Sequence, residues 1–361
     1  MSIDPATRSP VRVLVVDDSA FMRTALSRMI SSDLDLEVAG TAGGGTEALA
    51  KIAILDPDVV TLDVEMPGLN GLETLRRIME QFPRPVIMVS SATEKDADTT
   101  FNALGAGAFD YVPKKLSCTS LDILHIRQDL VAKIHAAASS PRSRPAEALG
   151  RKSPRASTTD SQNADSVPAI VALGSSTGGP KALQEILPLF PRDLSVPILI
   201  VQHMPPGFTA PFAQRLNTLC AVTVREATHR EPLLPGVVYI APAGLHVTVE
   251  RFSASRIFLG LDPHPDDALH IPSIDIMMKS VAEVFRNLAM GVILTGMGSD
   301  GAEGMKAIYN HGGITIGQDE ASCTVYGMPR ACAELGVLTR VVSLAQVPAQ
   351  VLQATRYRRR A

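Results

Sequence analysis

The chain has 361 residues, of which 45% are hydrophobic, and this is enough to build two buried cores. With 34 basic and 37 acidic residues its net charge is −3, so bulk charge favours neither nucleic acid nor an anionic membrane as a partner. The first ten residues lack the apolar stretch of a signal peptide, and no apolar run approaches the roughly 20 residues of a membrane helix. We therefore expect a cytoplasmic protein that does not insert into the membrane.

Residues 11–138 alternate between short apolar runs and helix-like stretches. Strands are predicted at V-R-V-L-V-V, L-E-V-A-G-T, D-V-V-T-L-D, P-V-I-M-V-S and D-Y-V-P-K, and a helical stretch follows each one. Continuous apolar strands that alternate with helices are typical of a parallel sheet with helices on both faces. The pattern predicts an α/β domain with a five-stranded parallel sheet.

The second half of the chain repeats this alternation after a polar interval. Residues 139–167 contain almost no large apolar side chains, so we expect a flexible linker there. Beyond it, strands are predicted at A-I-V-A-L-G, P-I-L-I-V-Q-H, V-V-Y-I-A-P, G-V-I-L-T-G and I-T-I-G-Q, with a hairpin from H-V-T-V-E and R-I-F-L-G. Helices are expected to begin near Pro180, Thr209, Ser273 and Ala302. Residues 168–356 are thus predicted to form a second doubly wound, mainly parallel α/β domain, mixed at one edge.

Acidic side chains follow two strands of the first predicted sheet. Asp17 and Asp18 come directly after the first strand, and Asp63 ends the third. Carboxylates that converge at one edge raise one another's pKa, and Mg²⁺ relieves this because it prefers oxygen ligands. Asp18 and Asp63 are candidate direct ligands and Asp17 a ligand through water. Alternatively, isolated acids after strands serve as helix N-caps or surface charges.

The neighbouring strand ends favour phosphoryl chemistry at this edge. Asp63 precedes a turn that presents its carboxylate to a phosphoryl donor, while Ser90 and Lys114 follow the next two strands. A hydroxyl and an ammonium can bind the oxygens of an acyl phosphate. The motifs D-D-S, D-V-E-M-P-G-x-x-G and M-V-S-S with Lys114 resemble the flavodoxin-like receiver domain of two-component response regulators. This resemblance implies that a histidine kinase phosphorylates Asp63 with Mg²⁺ bound. It also implies that Ser90 and Tyr111 change conformation when Asp63 is phosphorylated.

A second set of reactive residues lies at strand ends of the C-terminal half. Ser176 is the centre of a G-x-S-x-G pattern, His203 ends the next strand, and Asp300 follows the strand G-V-I-L. A serine nucleophile needs a base, the base needs an orienting acid, and the intermediate needs an oxyanion hole. The backbone N–H groups of Thr177 and Met297, which glycines flank, are the candidate oxyanion donors.

Each of these motifs alone permits another interpretation. The segment S-S-T-G-G could bind a phosphate through backbone amides, which would make this half a binding module without hydrolysis. A single histidine at a strand end is usually structural, and Asp300 could simply cap a helix. No P-loop is present, and no helix-turn-helix pattern supports a transcription factor that binds nucleic acid.

The motifs together favour hydrolysis. A receiver followed by G-x-S-T-G-G, Q-H-M-P, A-P-A-G-x-H and T-G-M-G-x-D-G resembles the response regulators that are chemotaxis protein-glutamate methylesterases. The resemblance implies that Ser176 is the nucleophile, His203 the general base and Asp300 its orienting acid. It also implies demethylation, and often deamidation, of side chains on the cytoplasmic helices of methyl-accepting chemotaxis receptors. We expect no cofactor for the ester hydrolysis, because the acid cluster lies in the other domain.

Overall fold

The chain forms two compact units, Met1–Arg151 and Lys152–Ala361. The structure, a computed structural model, describes residues 9–91, 94–114, 120–139, 167–253, 256–266 and 268–357. Residues 140–166 of the predicted linker therefore lie outside the described part of the chain. Among the described residues, no helix combines the length and the hydropathy needed to cross a bilayer.

The first unit is a five-stranded sheet with helices between its strands. Its strands are β1 (Val11–Val16), β2 (Leu36–Ala42), β3 (Val59–Asp63), β4 (Val86–Ser90) and β5 (Asp110–Pro113). Its helices are α1 (Ala20–Ile30), α2 (Gly45–Leu55), α3 (Gly71–Gln81), α4 (Glu94–Gly105) and α5 (Ser120–Ser139). The sheet order is β2-β1-β3-β4-β5. Every pairing is parallel, as the sequence predicts.

Burial explains why these strands are continuous apolar runs. All residues of β3 and β4 are buried, because helices cover both faces of the sheet. Helices α1 and α5 pack together, and α2, α3 and α4 pack in series. The sheet order places the carboxyl ends of β1 and β3 side by side, so the residues that follow them meet.

The second unit contains a larger sheet and a separate hairpin. Its strands are β6 (Ile170–Ser175), β7 (Ile198–Gln202), β8 (Thr223–Glu226), β9 (Val237–Ile240), β10 (His246–Ser253), β11 (Arg256–Asp262), β12 (Ala289–Ile293), β13 (Ile314–Gln318) and β14 (Arg340–Val342). Its helices are α6 (Gly179–Ile186), α7 (Thr209–Leu219), α8 (Ile274–Phe285), α9 (Ala302–Asn310), α10 (Met328–Glu334) and α11 (Val347–Ala354).

The larger sheet has the order β14-β13-β12-β6-β7-β9-β8, and all its pairings are parallel. The α/β fold class predicted for this half is therefore confirmed, but the mixed edge is wrong. The antiparallel strands β10 and β11 form a separate two-stranded sheet, against which α8 packs. The hairpin can leave the main sheet because α8 covers its apolar face, which includes Val247, Val249 and Leu259.

Strand order also decides which loops meet. Strand β6 lies between β7 and β12, although β12 is more than 110 residues later in the chain than β6. In an open parallel sheet, functional groups collect outside the carboxyl ends of the strands. The loops that follow β6, β7 and β12 are therefore neighbours at one edge.

Candidate functional site

Three carboxylates meet at the carboxyl edge of the N-terminal sheet. Asp17 and Asp18 follow β1, and Asp63 ends the neighbouring strand β3. One oxygen atom from each carboxylate lies within 4.8 Å of the other two. Asp17 and Asp63 are buried, whereas Asp18 is exposed. The fold thus brings together the three predicted ligands and leaves one side of the cluster open to solvent.

Lys114 supplies positive charge to this cluster. It follows β5, and its Nζ lies 3.0 Å from Asp17 Oδ2 and 2.6 Å from Asp63 Oδ2. Burial raises the pKa of Asp63 to about 6, although the ion pair with Lys114 opposes the rise. One ammonium thus leaves the cluster with excess negative charge. An octahedral cation with oxygen ligands would compensate this charge, so the donor set fits Mg²⁺.

The other two predicted receiver residues are buried on the adjacent strands. Ser90 ends β4, where its hydroxyl accepts a hydrogen bond from Thr100 Oγ1 at 2.8 Å. Tyr111, on β5, is only 2% exposed, and the ammonium of Lys133 lies 5.5 Å from the centre of its ring. Both side chains are thus packed between the sheet and its helices, within two strands of Asp63.

In the second unit, Ser176 lies on a sharp turn between β6 and α6. It is half-buried, and its N–H donates to Thr295 O at 3.0 Å. The turn continues through Gly178 at φ +77°, a conformation that glycine adopts without strain. A Cβ at Gly296 would lie 2.9 Å from Ser176 Cβ, so the opposite loop can approach the serine only because residue 296 is glycine. The serine is held against the carboxyl end of β12.

His203 and Asp300 form a hydrogen-bonded pair beside this turn. His203 follows β7, and its backbone N–H donates to Ser175 O. Its ring Nε2 lies 2.8 Å from Asp300 Oδ2. A carboxylate only accepts, so Nε2 carries the proton and Nδ1 is the basic nitrogen. His203 Nδ1 is buried without a hydrogen-bond partner in the described part of the chain, and no hydrogen bond joins it to Ser176. The fold therefore pairs base and acid and leaves one imidazole nitrogen available.

The surroundings of Asp300 keep its carboxylate ionised. Oδ1 accepts from Ser273 Oγ and from the N–H of Asp275, each at 3.0 Å, and Oδ2 accepts from the N–H of Ile274 at 2.8 Å. These donors are the N-cap and first turn of α8, where the helix dipole favours negative charge. Burial alone would raise the pKa of Asp300, but the bond to His203 and the backbone donors lower it well below its usual value.

The backbone N–H groups of Thr177 and Met297, the two predicted oxyanion donors, lie on the turns that follow β6 and β12. Thr177 is buried and Met297 half-buried, and neither N–H donates to a residue that the structure describes. Thr177 O accepts from Thr295 Oγ1 at 2.9 Å, and Gly296 N–H donates to Val325 O at 3.1 Å. The Thr177 carbonyl and the Gly296 N–H thus hold the two turns in place. The N–H groups of Thr177 and Met297 can then donate to a bound ligand.

Three further residues at this edge were not predicted from the sequence. Gln202 ends β7 and bonds the turn of Ser176, Ser273 bonds Asp300, and the ring of His270 stacks on that of His203 at 4.1 Å between centroids. A polar residue that closes the buried run I-L-I-V-Q is a signal that could have indicated Gln202. Ser273 was expected to start a helix, but no local pattern connects it to Asp300.

Comparisons with known proteins agree with this arrangement. The CheB methylesterase family matches residues 171–351, and the response regulator receiver domain family matches residues 13–124. A relative from Nitratidesulfovibrio vulgaris, named protein-glutamate methylesterase/protein-glutamine glutaminase 2, is 45% identical over 364 residues, which cover 95% of this chain and 98% of the relative. A protein of the same name, without the number, from Bacillus subtilis is 43% identical over 356 residues, which cover 97% of this chain and 99% of that protein.

A solved structure supports the same assignment for the second unit. The CheB methylesterase catalytic domain of Thermotoga maritima matches with a TM-score of 0.50 and 38% identity, and the match covers 52% of this chain and 98% of that domain. The resemblance inferred from the motifs is confirmed by these matches. The chain therefore belongs to the CheB family of protein-glutamate methylesterases, in which a response-regulator receiver domain precedes the methylesterase domain.

Proposed function

We propose that the C-terminal domain hydrolyses methyl esters of glutamate side chains on the cytoplasmic helices of methyl-accepting chemotaxis receptors. The reaction takes place in the cytoplasm, needs no cofactor and resets receptor sensitivity during chemotaxis. The main support is the His203–Asp300 pair, which lies beside the turn of Ser176 and keeps one imidazole nitrogen free. We further propose a receiver at 11–138, a linker at 139–167 and the catalytic domain at 168–356.

In the proposed reaction, Ser176 Oγ attacks the ester carbonyl carbon while its proton passes to His203 Nδ1. The negative charge that develops on the carbonyl oxygen is stabilised by the N–H groups of Thr177 and Met297. The tetrahedral intermediate expels the methoxy group, which leaves as methanol with the proton from His203. Asp300 stabilises the imidazolium that forms between these steps.

A water molecule completes the cycle. It attacks the acyl-enzyme carbonyl, gives its proton to His203, and releases a glutamate carboxylate and the free serine. A glutamine amide can follow the same path, with ammonia leaving in place of methanol. This chemistry accounts for a second, deamidating activity at the same site, as the names of the relatives indicate for those proteins.

We propose that a histidine kinase controls this activity by phosphorylating Asp63. Asp17, Asp18 and Asp63 would hold Mg²⁺, which neutralises charge between the carboxylates and the incoming phosphoryl group. Lys114 Nζ is placed to bind an oxygen of the acyl phosphate, as is the hydroxyl of Ser90 if its bond to Thr100 rearranges. Movement of Ser90 and Tyr111 then carries the change through the domain.

The test is methanol release from methylated receptor membranes. Ser176→Ala removes a small, half-buried hydroxyl and is expected to lower kcat by about 10⁴-fold or more without unfolding the domain. The comparison is Ser175→Ala, whose hydroxyl donates to Gln202, and which is expected to lose far less activity than Ser176→Ala. Normal turnover in Ser176→Ala would indicate a different nucleophile, whereas no methanol release by the unsubstituted protein would favour the phosphate-binding alternative.

A further inference from the structure

We propose that Gln202 is a positioning residue that aims the Thr177 N–H at the oxyanion. This inference rests on the proposed function, since it assumes that Ser176 is acylated. The proposed nucleophile, base and acid do not by themselves explain how an oxyanion donor is oriented. It follows from how the peptide between Ser176 and Thr177 is held.

A trans peptide is planar, so its C=O and N–H point in opposite directions. The peptide that links Ser176 to Thr177 carries both the Ser176 carbonyl and the Thr177 N–H. Its carbonyl accepts from Gln202 Nε2 at 2.9 Å and from Gly179 N–H at 2.8 Å. Because these donors fix the carbonyl on one side, they fix the N–H on the other. The direction of the Thr177 N–H is therefore set by the two donors on the opposite side of the peptide, the Gln202 side chain and the Gly179 N–H.

The side chain of Gln202 is itself fixed in one orientation. Its Nε2 donates to two carbonyl oxygens, those of Ser176 and His203, each at 2.9 Å, and carbonyls cannot donate in return. Its Oε1 accepts from Ser175 Oγ at 2.6 Å. Gln202 is 1% exposed, so water does not compete for these bonds. One amide thus connects the loop that bears the nucleophile with the loop that bears the base.

The surrounding sequence makes room for this amide. A Cβ at Gly179 would overlap Gln202 Oε1 and lie 2.9 Å from Ser175 Cβ, so any other residue there would displace the glutamine. The second proposed donor is held in the same way, since Gly296 O accepts from the N–H groups of Gly327 and Met328 at 3.0 and 2.9 Å. That peptide is anchored by backbone alone. Among the residues that the structure describes, a side chain donates to the Thr177 peptide but not to the Met297 peptide.

The experiment substitutes Gln202→Met in the full-length protein, together with Ser175→Ala so that no hydroxyl is left without its acceptor. Loss of one oxyanion donor costs about 10²- to 10³-fold in kcat, and we expect a misdirected donor to cost about 10²-fold. KM is expected to stay within about threefold, because the donor acts on the transition state rather than on the bound ester. Methanol release measures both constants, and Ser175→Ala alone is the reference.

Thr315→Val controls for loss of stability. The Thr315 hydroxyl is also buried and also bonds two backbone groups, Val337 O at 2.7 Å and Thr339 N–H at 3.0 Å, but it lies near the amino end of β13, away from the site. We expect it to lower the melting temperature and leave kcat unchanged. The inference is overturned if the Gln202 variant keeps kcat within about threefold, or if its loss appears only in KM. Activity in Ser176→Ala would instead overturn the assignment of Ser176 as nucleophile, and no methanol release by the unsubstituted protein would overturn the proposed function.

Discussion

Asp300 accepts hydrogen bonds from His203 Nε2, Ser273 Oγ and the N–H groups of Ile274 and Asp275. Its role can be tested with Asp300→Asn, which keeps the size of the side chain but presents an amide that can donate to the imidazole. The imidazole is then expected to hold its proton on the wrong nitrogen, and kcat for methanol release to fall by about 10⁴-fold. A fall of less than tenfold would show that Asp300 is only a helix cap.

The low pKa of Asp300 also predicts how stability depends on pH. The folded state keeps this carboxylate ionised at pH values where the unfolded chain, with an ordinary pKa of about 4, binds a proton. Its contribution to the free energy of unfolding is thus complete above about pH 5 and is lost as pH falls below about 4. Urea unfolding of a fragment of residues 167–357 measures this free energy at each pH. As pH falls below about 5, it is expected to decrease less in Asp300→Asn than in the unsubstituted fragment. Parallel declines would contradict this.

Individual residues differ in how far the sequence predicts them. Ser176, His203 and Asp300 each follow an apolar strand, so their common edge could be predicted from strand periodicity and motif. Gln202 and Ser273 could not be assigned their contacts in the same way, because Ser273 meets Asp300 across 27 residues and Gln202 meets Ser176 across 26. Such contacts depend on strand order, which local patterns do not determine.

Among the elements, α8 does most to hold the acid of the site. Its N-cap Ser273 accepts from Ile276 N–H and donates to Asp300, so one hydroxyl both starts the helix and orients the carboxylate. Ser273→Ala is expected to lower the free energy of unfolding by about 1 kcal/mol and kcat by several-fold. Calorimetry and methanol release measure the two effects.

The matched control for that cap lies in the other domain. Asn70 caps α3 by accepting from Glu73 N–H at 2.9 Å, and it is not part of the ester site. Asn70→Ala is expected to destabilise the receiver by a similar amount. In the full-length protein it is expected to leave kcat for methanol release unchanged. Equal losses of turnover in both variants would indicate that stability alone explains the effect of Ser273→Ala.

The elements missed at the sequence level are short. Strands β8 and β14 have four and three residues and lie at the two edges of the larger sheet, where half-exposed positions give no continuous apolar run. Helices α10 and α11 have seven and eight residues, too few for a clear apolar period. Both carry proline in the first turn, Pro329 and Pro348, and this start signal could have identified them.

At the scale of the whole molecule, the two chemistries belong to separate units. A fragment that begins at residue 167 is expected to release methanol in EDTA, because every residue proposed for ester hydrolysis lies in the second unit. Phosphorylation of the full chain is expected to stop in EDTA, since Asp17, Asp18 and Asp63 require a cation. Loss of esterase activity on chelation, with recovery on addition of metal, would indicate a metallohydrolase instead.

Communication between the units is tested at Asp63. In the full chain, a phosphodonor is expected to raise the rate of methanol release by about 5- to 150-fold, the range of a typical coupling free energy. Asp63→Ala removes the phosphoacceptor and is expected to abolish this response while leaving the basal rate unchanged. Asp18→Ala is the companion variant, because it disturbs the proposed metal site without removing the acceptor. A full response in Asp63→Ala would place the phosphoryl group elsewhere.

The position of β12 between β6 and β13 has a consequence for biosynthesis. A ribosome releases Ser176 and His203 well before Asp300, which lies 97 residues after the histidine. Until β12 pairs with β6, the His203 imidazole lacks its acid partner, so under the proposed mechanism we expect the nascent polypeptide to be inactive. The proposed site is thus completed late in translation, and we expect chains that terminate before Asp300 to lack esterase activity.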